Sequence, residues 1–324
     1  MQRRTLALAA ALGLAAFAAV AQPTTRLTLG HGAAPGNPRH EASVLFAERV
    51  KEKSGGRIEV QVAHSSQLGD DAAMVTALRS GSLDISANSQ GTLSAVVPEY
   101  AALGMPFLFS DVEKAWALLD GPVGEELASR SAAKNLVVLG YWDNGIRHLS
   151  NSKRAIKAPA DLKGLKIRTP ADAVTIDIMQ ALGADAQQIK FSELYVALQQ
   201  GVVDGQENPL TNIVSAKLYE VQKFISLTGH KYEVTPFLMG KRAWDKLSPA
   251  DQAIVKDAAR EATQLQRKLS READEKLLVE LKGKGINVET VDRAPFVAAT
   301  KPVYDKWYAS PQGDFVRRVV QAVR

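Results

Sequence analysis

Apolar and polar residues follow two alternating rhythms over the first part of the chain. From Arg26 to His31, Leu27 and Leu29 alternate with polar residues and the run ends in Gly30-His31-Gly32, which predicts a strand entering a loop. From Pro38 to Ser54 the period lengthens: Ala42, Leu45, Phe46, Arg49 and Val50 recur at helical spacing until Gly55-Gly56. In Arg57–Ala63, Ile58, Val60 and Val62 share one face, as in a strand. Asp70 and Asp71 read as caps of a helix marked by Met74, Ala77 and Leu78 and closed by Gly81. Leu83–Ala87 follows as a short strand. The rhythm recurs, with strands at Leu136–Tyr141 and Lys166–Arg168 and helices at Ala171–Leu182 and Phe191–Gln200. A short strand over Gly205-Gln206-Glu207 then ends at Asn208, and Pro209 starts a further helix. Alternation on this spacing predicts an α/β architecture with a largely parallel sheet.

The last third changes character. Ser248-Pro249 supplies an N-cap and a first-turn proline, and Asp251 suits the helix dipole. Ala258, Ala262, Leu265, Leu269, Ala273, Leu277 and Leu281 then step at three- or four-residue intervals to Gly283. A helix over Pro249–Lys282 would be ~50 Å long, more than one domain's width. Two readings stand: a continuous spine across two lobes, or two helices broken near Ser270.

The N-terminus adds a destination. Arg3 and Arg4 precede an uncharged Ala/Leu-rich run from Thr5 to Ala21 that ends in Ala19-Val20-Ala21, the small-x-small pattern of a signal-peptidase site. The expected product is an exported, periplasmic chain, cleaved after Ala21; an uncleaved anchor is the alternative. The absence of cysteine removes disulfides, thiolate metal ligands and a cysteine nucleophile. The net charge of +5 falls to +3 without Arg3 and Arg4, and the charges are interspersed, which argues against nucleic-acid binding. The chain carries no Walker loop, GxGxxG, HExxH or GxSxG pattern, and no cofactor or metal is expected.

Two segments stand out: Asp161-Leu-Lys-Gly-Leu-Lys-Ile-Arg168-Thr-Pro170 and Leu194-Tyr-Val-Ala-Leu-Gln-Gln-Gly-Val-Val-Asp-Gly-Gln-Glu-Asn208-Pro209. Arg168 falls at the C-terminal end of its strand, where α/β sheets place ligands. Its planar guanidinium fits a carboxylate through two parallel hydrogen bonds. A structural salt bridge closing the strand is the alternative role.

These motifs resemble those of the TRAP (tripartite ATP-independent periplasmic) transporter substrate-binding proteins, which include C4-dicarboxylate and sialic-acid receptors. Ser65-Ser-Gln-Leu-Gly-Asp-Asp71, Gly81-Ser-Leu-Asp84 and Lys217-Leu-Tyr-Glu-Val-Gln-Lys223 fit the same pattern, in order, within Leu27–Tyr304. The resemblance implies a clamshell of two α/β lobes, with one long helix spanning both, that closes on a small organic acid. The lobes would be 22–144 with 234–273, and 145–233 with 274–324. It also implies a monomeric receptor that docks on a permease of small and large membrane subunits and catalyses nothing. Arg168 then matches the family's carboxylate-binding arginine, Asn208 the asparagine that assists it, Arg147 a second basic contact and Phe191 an aromatic wall.

Further candidates rest on the residues alone. His31 and His40 flank the first loop and would donate to ligand hydroxyls, or else serve as helix or turn histidines. Asn88 and Asn144 would face ligand hydroxyls. Glu207 would orient Asn208 or Arg147, or else shape a turn. Tyr141 and Trp142 would pack on a sugar face or lie in the core. Asn88-Ser89 and Gly32 fall where sialic-acid receptors carry an acidic residue and an asparagine, which argues against sialic acid as the solute, while the polarity suggested by His31, Asn88, Arg147 and Asn208 favours a hydroxylated monocarboxylate such as a hexuronate. A C4-dicarboxylate receptor, a sugar-acid lyase or hydrolase, and a sensory module are the rival readings.

Overall fold

The computed structural model describes residues 24–109 and 111–323, so the expected leader Met1–Ala21 lies outside the described residues. The strands are β1 (Thr25–His31), β2 (Ile58–Ala63), β3 (Ile85–Ala87), β4 (Leu136–Asn151), β5 (Lys166–Thr169), β6 (Asp185–Gln188), β7 (Gly205–Asn208), β8 (Phe224–Gly240) and β9 (Asn287–Glu289). They form one nine-stranded sheet in the order β2-β1-β3-β8-β4-β7-β5-β6, with β9 on the far end of β8. The two flanks, β2-β1-β3 and β7-β5-β6, are parallel. Between them, β4 and β8 pair antiparallel and run through both halves of the molecule. The α/β class and its two lobes follow from this arrangement, but the centre of the sheet is antiparallel.

Those two central strands are also where the hydrophobic pattern is least informative. β4 extends to Asn151, well beyond the expected Tyr141, and β8, with 17 residues, has no apolar alternation that marks it. Their buried positions include Asp143, Asn144, Arg147, His148, Lys231 and Glu233. Polar residues that pair with one another inside a protein leave no apolar period to read. β4 is also irregular, with register shifts at Val138/Gly140, Asp143/Gly145 and Arg147/Leu149. Gly145 has φ +118°, and a Cβ there would stand 3.2 Å from the Pro209 ring, so two constraints favour glycine.

The long helix runs unbroken over 35 residues, Pro249–Gly283, with the Ser248 side chain capping Asp251 N–H. Ser270 is buried inside it, so the break considered there does not occur. Val255, Ala258, Ala259 and Ala262 pack with Phe46, Trp142 and Phe237 on one side of the molecule. Leu277, Leu278 and Leu281 pack with Leu194, Leu198 and Ile225 on the other. One apolar stripe thus serves two cores, because a rigid helix of this length outreaches either. The last helix, Gly313–Val323, lies against Pro98–Gly104 and Val112–Leu119, with Arg318 on Glu126 at 2.9 Å. Those contacts are with residues of the range 22–144, and the helix also packs on its neighbour Ala294–Tyr308.

Candidate functional site

Between the halves lies a cavity of about 480 Å³, bounded by strand ends and by the first turns of several helices. β5 brings Arg168 to it at the C-terminal end of the strand, as its position in the motif predicts. Arg168 Nε donates to the Ile189 carbonyl at 2.8 Å, and its guanidinium carbon stands 5.8 Å from the centre of the Phe191 ring. Those two contacts aim the fork, because one edge is held and one face is covered. The terminal nitrogens make no hydrogen bond or ion pair among the described residues, although Arg168 is only 3% exposed. Burial lowers its pKa to about 10, partly offset by Glu207, so it remains a cation at neutral pH. The alternative of a structural salt bridge finds no partner among the described residues.

Arg147, on the irregular part of β4, also borders the cavity, but its charge is committed. It pairs with Glu207 and Glu233, donates from Nη2 to Glu207 Oε1 at 2.7 Å and to the Glu207 carbonyl at 2.6 Å, and reaches Asn208 Oδ1 at 3.3 Å. Burial works against its charge, yet the two carboxylates outweigh it and raise its pKa. Glu207 is fully buried behind it and is held as a carboxylate, its pKa lowered to about 2 against the cost of burial by Arg147 and His230. Glu207 orients Arg147 and does not border the cavity.

Asn208 and Asn144 border the cavity inside one amide network. Asn212 Nδ2 donates to Asn208 Oδ1 at 3.0 Å and to Asn144 Oδ1 at 3.1 Å, while Asn144 Nδ2 donates to Glu233. Phe191, first residue of its helix, walls the same space.

Three expected contacts do not reach the cavity. His31 is fully buried beneath the loop; its Nδ1 accepts from Ala33 N–H, and burial lowers its pKa to about 3, so it is neutral. His40 lies between His31, to which its ring is tilted, and His64, which it meets edge-on, with ring centres 5.4 and 5.1 Å apart. Asn88 is buried and accepts from Ser86; its neighbour Ser89 is the residue that reaches the cavity. His31 ends β1 and Asn88 follows β3, and both turn into the core, whereas His40 sits in the first turn of the helix Pro38–Lys53, half-buried beside His31 and His64. Trp142 likewise stacks on Phe237 at 4.2 Å, and Tyr141 donates to the Gly124 carbonyl, so both are core residues.

Other wall residues escaped the sequence reading. Arg39 sits at the second position of the helix Pro38–Lys53, after the Asn37 cap, and is 6% exposed. Its signal was available, since a cation in the first turn opposes the helix dipole and asks for another reason. Asp70 caps its helix as expected, but Asp71 instead accepts from Ser89 N–H at 2.8 Å and faces the cavity; burial raises its pKa, opposed by Arg39. Glu233 comes from β8, which no pattern marked, and Asn212 from the helix that follows Pro209, where the residue itself was not singled out. Across the cleft, Asn37 donates to Asn212 at 3.0 Å, and Lys190 lies 3.6 Å from Asp70.

The chain and its fold have counterparts. Residues 29–311 match the model of the bacterial extracellular solute-binding proteins, family 7. The uncharacterized protein y4mM of Sinorhizobium fredii is 57% identical over 96% of this chain, which spans 58% of that protein's length. The 2,3-diketo-L-gulonate-binding periplasmic protein YiaO of Escherichia coli is 36% identical over 96% of both chains. A solved structure of the sugar acid binding protein DctPAm from Advenella mimigardefordensis, in complex with galactonate, superposes with a TM-score of 0.91 at 34% identity, over 93% of this chain and 98% of that one. The chain therefore belongs to the family 7 extracellular solute-binding proteins, the solute-binding proteins of TRAP transporters.

Proposed function

We propose that this protein is an extracytoplasmic receptor that closes on one small hydroxylated carboxylate, of the sugar-acid class, and delivers it to a TRAP permease. The observation that carries this reading is the Arg168 fork, buried and charged, with no anion paired to it among the described residues. A buried cation is costly unless paired, so the missing partner is the ligand carboxylate. Asn208, 3.0 Å from Asn212, sits where its amide supports the anion, and Phe191 covers the guanidinium face. The amide-rich wall and the sugar acids bound by DctPAm and YiaO favour a hydroxylated solute such as a hexuronate over a plain diacid.

The lobes in this reading are 22–144 with 234–273 and 145–233 with 274–312, the helix Gly313–Val323 moving to the first. Closure draws Asn37 and Asp70 toward Asn212 and Lys190. The receptor acts as a monomer in the periplasm, after cleavage following Ala21, docks on the small and large membrane subunits, and leaves its solute chemically unchanged. No helix among the described residues is long and apolar enough to cross a membrane, which accords with a separate permease.

The test is a thermal-shift screen over organic acids, since ligand at ~100 Kd stabilises by ~2.7 kcal/mol. Hexuronates or aldonates should raise the melting temperature of the wild type and leave Arg168→Ala unmoved. Turnover of any stabilising acid, followed by chromatography, would replace the receptor with an enzyme.

A further inference from the structure

The cavity holds a second guanidinium that no ion pair neutralises among the described residues. Arg39 is buried, and the first-turn amides of its own helix disfavour its charge. The chain offers it only neutral oxygens: Nη2 donates to Asn144 Oδ1 and to Thr235 Oγ1, each at 2.9 Å. Nε is buried without a partner, and Nη1 makes no hydrogen bond among the described residues. Buried donors are almost always paired, so unspent donors beside a cavity point to atoms that arrive with a ligand.

The acceptor on the same wall narrows what those atoms are. Ser89 N–H occupies Asp71 Oδ2, while Oδ1 receives no hydrogen bond among the described residues. Arg39 and Asp71 act on each other's charge without forming an ion pair. A ligand carboxylate placed at Arg39 would be repelled by Asp71. A hydroxyl suits both, because it accepts from a guanidinium and donates to a carboxylate at once. Glu233, the other nearby carboxylate, is already engaged by Ser89, Asn144 and Arg147.

We propose that Arg39 and Asp71 form a donor–acceptor pair that reads hydroxyl groups of the ligand, so that the receptor takes polyhydroxy monocarboxylates and rejects diacids. This inference rests on Arg168 as the carboxylate anchor.

Calorimetry with D-galactonate, D-galacturonate, D-erythronate and the diacid galactarate tests it on the wild type and on Arg39→Met, Asp71→Asn and Arg168→Ala. The wild type should bind at least one of the three monocarboxylates, and bind it more tightly than galactarate. Arg39→Met should weaken that monocarboxylate by at least about tenfold, the effect of losing a hydrogen bond to a charged group. Asp71→Asn should also weaken it and shift the ratio toward galactarate. Should Arg39→Met not fold, the near-isosteric Asp71→Asn carries the test through that ratio. Galactarate bound as tightly as the best monocarboxylate by the wild type would overturn the proposal. So would an Arg39→Met protein with unchanged affinity alongside an Arg168→Ala protein that has lost binding, which would leave the anchor standing. Binding that survives Arg168→Ala, or no binding of any of the four acids, would overturn the receptor reading and this inference with it.

Discussion

The Gln266 side chain clamps the backbone of Asp143 from both sides: its Oε1 accepts from Asp143 N–H at 2.7 Å and its Nε2 donates to the Asp143 carbonyl at 2.7 Å. The contact joins the middle of the long helix to β4 where that strand loses its regular register, so the helix supplies the pairing that the partner strand does not. Gln266→Leu would leave both backbone groups buried and unpaired. Each such group costs ~1–3 kcal/mol, so urea unfolding should show a loss of ~2 kcal/mol or more. A midpoint unchanged from the wild type would mean that water or a shifted strand replaces the clamp.

Arg168→Lys should weaken ligand binding nearly as much as Arg168→Ala. Removing one partner of a buried charge pair costs ~2–5 kcal/mol, and an ammonium does not reproduce the two-pronged geometry. Calorimetry on any acid that stabilises the wild type decides this; a lysine variant within about twofold of wild type would reject the bidentate role.

Arg147 should behave differently, because its charge is spent inside the protein. Glu207→Gln leaves a buried arginine short of a partner, and breaking such a pair costs ~3–5 kcal/mol. The expected outcome is a large fall in unfolding free energy in urea at neutral pH. A variant as stable as wild type would show that Glu207 is dispensable to the Arg147 pair.

Stability should fall in acid before the carboxylates titrate. His148 is buried and neutral, accepting from Gly229 N–H at 3.0 Å, and burial lowers its pKa from 6.5 to about 3. Below pH 6.5 the unfolded chain takes up a proton that the folded chain refuses, so this contribution is present above 6.5 and is lost as pH falls toward 3. His31, with the same shift, adds to the slope in the same direction. Urea midpoints measured from pH 7 to pH 5 should decline, and His148→Asn should flatten the decline. An unchanged slope in that variant would show that His148 does not titrate on unfolding.

The long helix offers a mechanical test. Arg271→Pro removes one intrahelical hydrogen bond and clashes with the Arg267 carbonyl, at ~3 kcal/mol or more. Since separate cores hold the two ends, the lobes should still fold. Ligand affinity and ligand-induced compaction in small-angle scattering should both drop. Unchanged values would mean that the helix does not couple the lobes.

Local chemistry determined much of this protein before any folding. The helix from Ser248-Pro249 to Gly283 was legible because a cap, a first-turn proline and a sustained apolar stripe all agree. That Arg168 and Asn208 border the cavity was legible because each lies at the C-terminal end of a short strand, within motifs whose resemblance to a family could be recognised. Tertiary structure alone decided which charges are free. Arg147 and Arg168 look equivalent as residues, yet Glu207 and Glu233 neutralise the first and nothing among the described residues neutralises the second. Those partners lie 60 and 86 positions from Arg147 in sequence, on strands that few apolar residues mark. Likewise His31 and Asn88 turn inward while Arg39 and Asp71 face the cavity. Side-chain direction at a strand end or a first helical turn depends on how neighbouring elements pack, and a one-dimensional pattern does not carry that geometry.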